Sequence, residues 1–180
     1  AKKLLEESGW TDTDGDGYVD KDGQKLSINW LTYPTRLEQP KLAEYAQATL
    51  KDIGIDVQVN NTSDHRTFAE NGEFDVYVSS VTTAPTGDPE YFFTSTVTGS
   101  KNYGNYQNEE VTKLTDQLHQ TFDKDERGKL AIELQQHILD DDAYFFVSHL
   151  NMGIVTKSNV KGMAAHPCDY YEITADLDVE

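Results

Sequence analysis

The chain is 180 residues long, enough for one α/β domain with a sizeable core. Fifteen lysines and arginines against 32 aspartates and glutamates leave a formal charge of −17, a field that repels phosphate backbones and anionic lipid and excludes nucleic acid as an expected partner. Cys168 is the single cysteine, so neither an intrachain disulfide nor a cysteine-based zinc cluster can form.

Lys2 to Ser8 reads as the tail of a helix with Leu4 and Leu5 as apolar contacts and Gly9 as its stop. Ala1 opens into it without the regions of a signal peptide, so the chain is expected to be either cytoplasmic or an excised part of a longer protein. Thr11 to Gly23, TDTDGDGYVDKDG, sets Asp12, Asp14, Asp16 and Asp20 at positions one, three, five and nine of a calcium loop with Gly17 at six. Position twelve falls on Gly23 and a strand follows, so an Asp/Gly hairpin bonded to its own backbone is the alternative.

Leu26, Ile28 and Trp30 alternate as a strand that ends at Thr32-Tyr33-Pro34. From Glu38, Leu42, Tyr45, Ala46, Leu50 and Ile53 recur at helical spacing until Gly54, and Ile55, Val57 and Val59 form the next strand. This is a βαβ unit, which implies parallel pairing. A short helix over Asp64 to Glu70 leads into a third strand, Phe74 to Val78. Thr82 to Gly87 then form a loop, and Asp88-Pro89-Glu90 reads as an N-cap, a first-position proline and a first-turn acid. That loop leaves the carboxyl end of a strand, the edge at which open α/β sheets bind ligands.

Lys101 to Gln107, KNYGNYQ, is turn-rich, with rings and amides around one cation. Asn108 is expected to cap a helix carrying Val111, Leu114, Leu118 and Phe122, and Asp125 another carrying Leu130, Leu134 and Ile138. Tyr144 to Val147 and Met152 to Val155 read as one long or two short strands, and the stretch from Ser158 as irregular. No hydrolase, dinucleotide or nucleotide motif occurs. The five histidines are scattered, with His149 and His166 the best placed, and Cys168 has no nucleophile signature around it, so no enzyme is expected.

Several segments, in order, resemble one family: AKKLLEESGW followed by TDTDGDGYVDKDGQKL, then LKDIGIDVQV, EFDVYVSS, the GDP of TAPTGDPEYFF, NYGNYQNEEV and YFFVSHLNMGIVTKSNVKGM. These are similar to the extracytoplasmic solute-binding proteins of peptide and nickel ABC importers. The resemblance implies an α/β fold of the type II periplasmic-binding-protein kind, a mixed or parallel sheet flanked by helices. Residues 1–180 would be a single C-terminal substrate-binding lobe, with 156–180 as an irregular tail returning toward a missing first lobe. It further implies a monomer outside the membrane, periplasmic or a lipoprotein on the outer face, that closes on its solute and hands it to an ABC permease.

Peptide binders of the family commonly carry a tryptophan and an acid ahead of the Asp-Pro. Here Val81 to Gly87 have neither, while Ala84-Pro85 and the ending HPCDYYEITADLDVE look like the nickel branch. The resemblance therefore favours nickel held as a small organic chelate. A di- or oligopeptide is the alternative, and a calcium-binding interaction module the second. No resident cofactor is required. The ligand-contacting residues it implies are Thr82, Thr83, Pro85, Thr86 and Tyr91, then Lys101, Asn102 and Tyr103, with Tyr33 and Arg36 beyond the earlier strand end; an arginine there suits a carboxylate.

Overall fold

The computed structural model describes residues 1–151, 153–166 and 173–180. The readings placed on Cys168 and on the start of the Met152 strand lie outside them. The chain forms two compact units, Ala1–Ser80 and Val81–Glu180.

The first unit begins with α1 (Lys2–Glu7), which ends as expected at Gly9. That glycine has φ +84°, and the Gly9 and Trp10 amides donate back to the Glu6 and Leu5 carbonyls at 3.0 and 2.9 Å, a Schellman stop. β1 (Asp20–Lys21) and β2 (Gln24–Lys25) make a two-residue antiparallel hairpin. β3 (Ser27–Thr32), α2 (Glu38–Lys51) and β4 (Asp56–Asn61) are the βαβ unit, with β3 and β4 parallel in the register Ser27↔Asp56 to Thr32↔Asn61. After α3 (His65–Glu70), β5 (Val76–Tyr77) joins β3 in parallel, so the order is β4-β3-β5 with β3 in the centre.

β5 is shorter than the alternation of Phe74 to Val78 suggests: the Asp75 and Val78 amides still donate to the Asn29 and Leu31 carbonyls at 2.9 and 3.0 Å, but the Asn29 amide is taken by the Asp75 carboxylate at 2.7 Å instead of by a backbone carbonyl. Trp30, Ala43, Ile55 and Val57 form the buried core, with Leu50, Ile53 and Val76 packed against it. Tyr45, placed on the apolar stripe by spacing, is instead 73% exposed; the buried face of α2 runs through Gln39 and Ala43.

Among the described residues, the regular elements of the second unit are helices and one two-residue strand pair. α4 (Glu90–Phe92) runs straight into a π-turn, Phe93–Val97, which buries Phe92, Phe93, Thr96 and Val97 together. α5 (Glu109–Gln120) is capped by Asn108 as expected, its side chain accepting from the Glu110 and Val111 amides. α6 (Lys124–Asp140) is capped by Asp123 and not by Asp125, which lies in the first turn. Both acids fit a helix start, but Asp123 is the residue with extended backbone that can turn its carboxylate onto the following amides. Val111, Leu114, Leu118, Leu130, Leu134 and Ile138 are buried as the spacing predicts. Phe122 is not: α5 stops at Gln120 and the ring is 92% exposed.

No strand forms at Tyr144 to Val147, nor among the described residues up to Val155. Tyr144 turns into the helical core instead, donating to the Thr96 carbonyl at 2.9 Å with its ring edge-on to Phe92, while Phe145 and Val155 are 86% and 95% exposed. Alternation alone cannot make a strand where no neighbouring backbone offers a ladder. Among the described residues, the stretch from Ser158 is irregular except for β6 (Val160–Lys161), paired antiparallel with β7 (Asp178–Val179).

Candidate functional site

In the first unit, parallel pairing sends the carboxyl ends of β3 and β5 the same way, and a small aromatic cluster sits there. Tyr33, one residue past β3, is buried; its ring stacks on His65 with centroids 4.1 Å apart and planes 22° apart. The His65 Nδ1 lies 2.6 Å from the Tyr77 hydroxyl, and the Tyr33 hydroxyl accepts the Ser80 amide at 3.1 Å. Burial lowers the His65 pKa, with Arg66 adding to it against Asp64, so the imidazole is neutral at neutral pH. Arg36 is exposed, and its side chain has no partner among the described residues.

The Asp-rich loop splits the four predicted ligands. Asp12, Asp14 and Asp20 bring carboxylate oxygens within 4.8 Å of one another, but Asp16 pairs with Lys25 at 2.6 Å. The oxygens are largely taken up by the loop itself. Asp12 accepts from the Gly15 and Gly17 amides, Asp20 from the Thr13 amide and hydroxyl, and Asp14 and Asp16 from the amides two residues on. Gly23, at the twelfth position, lies in the β1–β2 turn and offers no carboxylate. The bonds to amides are those an Asp/Gly hairpin makes to its own backbone, while the Thr13 hydroxyl and the Lys25 ammonium add side-chain partners.

In the second unit, Thr82, Thr83 and Thr86 are exposed and make no hydrogen bond with their side chains among the described residues, while Pro85 between them is buried. The loop closes through the Gly87 amide onto the Ala84 carbonyl at 2.9 Å, with Gly87 at φ +80°. The Asp88 carboxylate then accepts the Glu90 amide at 2.9 Å and so starts α4. Tyr91 and Lys101 come together, the ammonium 3.3 Å from the phenol oxygen and 5.6 Å from the ring centre.

Asn102 is committed to its own turn: its amide donates to the Tyr106 carbonyl and accepts the Tyr106 amide at 2.8 and 3.0 Å. It also lines an open groove of about 660 Å³ with Asn105, Tyr106, Asn108 and Lys113. Tyr103 is half-buried beside it in sequence.

Sequence reasoning missed three of these groups. His65 and Tyr77 had no motif to mark them. Arg127 carried only a faint signal, a cation near the unfavourable end of the α6 dipole, which Lys124 shares without an ion-pair partner among the described residues. Arg127 is held by Asp88 and Glu90. The Arg127 bonds pull the Glu90 pKa down against burial, with His119 helping, whereas for Asp88 burial pushes up and the Arg127 bonds, the Glu90 amide and the guanidinium charge outweigh it.

Residues 1–104 match the family model described as bacterial extracellular solute-binding proteins, family 5 Middle. The chain belongs to that family. Its members are binding proteins and not enzymes, and its fold is that of the type II periplasmic binding proteins.

Among curated relatives, the oligopeptide-binding protein AppA of Bacillus subtilis is 32% identical over 96% of this chain, and the nickel-binding protein NikA of Staphylococcus aureus 27% over 92%. Among solved structures, AppA with a nonapeptide superposes with a TM-score of 0.82 at 29% identity, covering 99% of this chain and 36% of that one. Staphylococcus aureus NikA with Ni(L-His)2 does so at 0.75 and 25% identity, covering 99% and 37%. The chain spans about a third of the length of the curated relatives it matches. Among the described residues, no helix is long and apolar enough to cross a membrane.

Proposed function

We propose that the chain is the ligand-contacting lobe of the solute-binding component of an ABC importer, working outside the membrane as a monomer with a first lobe and a permease as partners. The family match carries this reading, because it spans both strand-end segments, from Tyr33 through the Thr82–Gly87 loop to Tyr103. Thr82, Thr83 and Thr86 would offer hydroxyls to the solute, Pro85 a rigid wall, and the Tyr91–Lys101 pair a cation for a carboxylate. Asn102 and Tyr103 would flank them; Tyr33 and Arg36 are the separate candidates on the first unit.

For the solute itself, an oligopeptide is the better-supported class, on the higher identity and TM-score of the peptide-binding relative. The nickel chelate remains as a second reading for one specific reason: residues 81–87 hold no carboxylate to take a peptide's amino terminus. Both classes carry carboxylates, which Lys101 suits. Calorimetry of the full-length protein with a nonapeptide and with Ni(L-His)2 decides between them. Micromolar or tighter binding of the peptide alone supports the first reading and of the nickel complex alone the second. Binding of neither overturns the importer reading.

A further inference from the structure

Among the described residues, Arg127 of the second unit makes five side-chain hydrogen bonds. A guanidinium has five N–H bonds in a rigid fork. Nε donates to Asp88 Oδ2 at 3.0 Å, and Nη2 to Asp88 Oδ1 at 2.6 Å and Glu90 Oε2 at 2.8 Å. Nη1 donates to the Leu118 and Thr121 carbonyls at 2.7 and 2.6 Å. All five are used. The side chain is only 15% exposed, so these charge-assisted bonds work in a partly dry setting.

The two ends of this clamp differ in kind. On one side it holds the Leu118 and Thr121 carbonyls at the end of α5, where Leu118 is fully buried in the α5–α6 core. On the other it holds Asp88 and Glu90, which directly follow the loop whose three threonines have no hydrogen-bond partner of their own among the described residues. A bidentate carboxylate pair fixes orientation as well as distance. The Glu90 side chain is further tied by His119, whose Nδ1 lies 2.6 Å from Oε1.

We propose that Arg127 is the positioning residue of the Thr82–Gly87 loop: by clamping Asp88 and Glu90 to the α5–α6 core it holds the downstream end of the loop in its ligand-ready form. This rests on the reading of that loop as ligand-bearing. Arg127 itself touches no solute. Its loss lets the loop sample other shapes, so the ready form becomes a fraction of the population, and apparent affinity falls by that fraction. The fall appears in the association rate, because a ligand that finds the ready loop makes the same contacts and leaves at the same rate.

The test uses the full-length protein with Arg127→Gln, and the nonapeptide or Ni(L-His)2, whichever the unchanged protein binds. Expected are an association rate lowered at least tenfold with dissociation changed less than threefold, and recovery on adding millimolar methylguanidinium, which refills the vacated site. Hydrogen exchange without ligand should speed up at least tenfold at the Gly87 and Glu90 amides, which are bonded to Ala84 and Asp88, while those of Leu134 and Ile138 hold.

Unchanged exchange at Gly87 and Glu90, or equal acceleration at Leu134 and Ile138, overturns the positioning role in favour of a purely structural ion pair. Accelerated loop exchange with unchanged binding overturns instead the assignment of the loop to the ligand. Should Arg127→Gln fail to fold, Asp88→Asn, which keeps the shape and removes the charge, is read by the same measurements.

Discussion

Gly54 ends α2 at φ +84° and lies against the strand entry of the Asp-rich loop: a Cβ built on it would sit 2.9 Å from Val19 Cγ1 and 3.1 Å from the Val19 amide nitrogen. That nitrogen cannot retreat freely, because it donates to the Gly54 carbonyl at 2.7 Å while the Val19 carbonyl accepts from Leu26 at 2.9 Å. Gly72 has a similar φ, +71°, with nothing within 4 Å. Gly72→Ala therefore carries only the left-handed penalty, about 1–2 kcal/mol. Gly54→Ala adds an overpacking term of about 1–3 kcal/mol. The excess of the first variant over the second isolates the close approach.

Urea unfolding followed by tryptophan fluorescence measures it cleanly, since Trp10 and Trp30 are the only two tryptophans and both belong to the first unit. Equal losses in the two variants, within about 0.5 kcal/mol of each other, would refute the argument that the Asp-rich loop packs against the end of α2.

Leu134, fully buried among the α5–α6 residues, should lose about 2–5 kcal/mol on Leu134→Ala, while Ile132→Ala at a 69% exposed position stays within about 0.5 kcal/mol; far-UV circular dichroism in urea reads both. Because the folded pKa values of Asp88 and Glu90 lie below their ordinary values, the unfolded chain binds more protons there and the second unit gains stability as pH rises. That contribution is complete above the ordinary carboxylate range of about 4 and is lost as pH falls through the lower folded values. Asp88→Asn with Glu90→Gln should flatten the helical melting temperature between pH 5 and about 2, and a slope as steep as that of the unchanged chain would contradict it.

Much of the architecture could be read from periodicity. The βαβ unit, the Gly9 and Gly54 stops, the Asn108 cap and the Leu130–Leu134–Ile138 stripe are local consequences of spacing and of glycine's access to positive φ. The misreadings come from the same source. Phe122 fits the stripe of α5 but falls beyond the end of the helix, and Tyr144 to Val147 alternate like a strand although Tyr144 is captured by Thr96 and Phe92.

The site was legible only where one turn makes it, as at Ala84–Gly87 and Asp88–Glu90. The Tyr33–His65 stack and the Arg127 clamp join residues 32 and 39 positions apart, and no local pattern encodes such pairs.

The arrangement around residues 82–86 has an evolutionary consequence. Three side chains there contribute no hydrogen bond to folding among the described residues, while the ground on either side is pinned by Ser80 to Tyr33 and by Asp88 to Arg127. Such positions can drift under selection for a new cargo without eroding the scaffold, so a library randomised at 82, 83 and 86 should retain the melting behaviour of its parent across nearly all members.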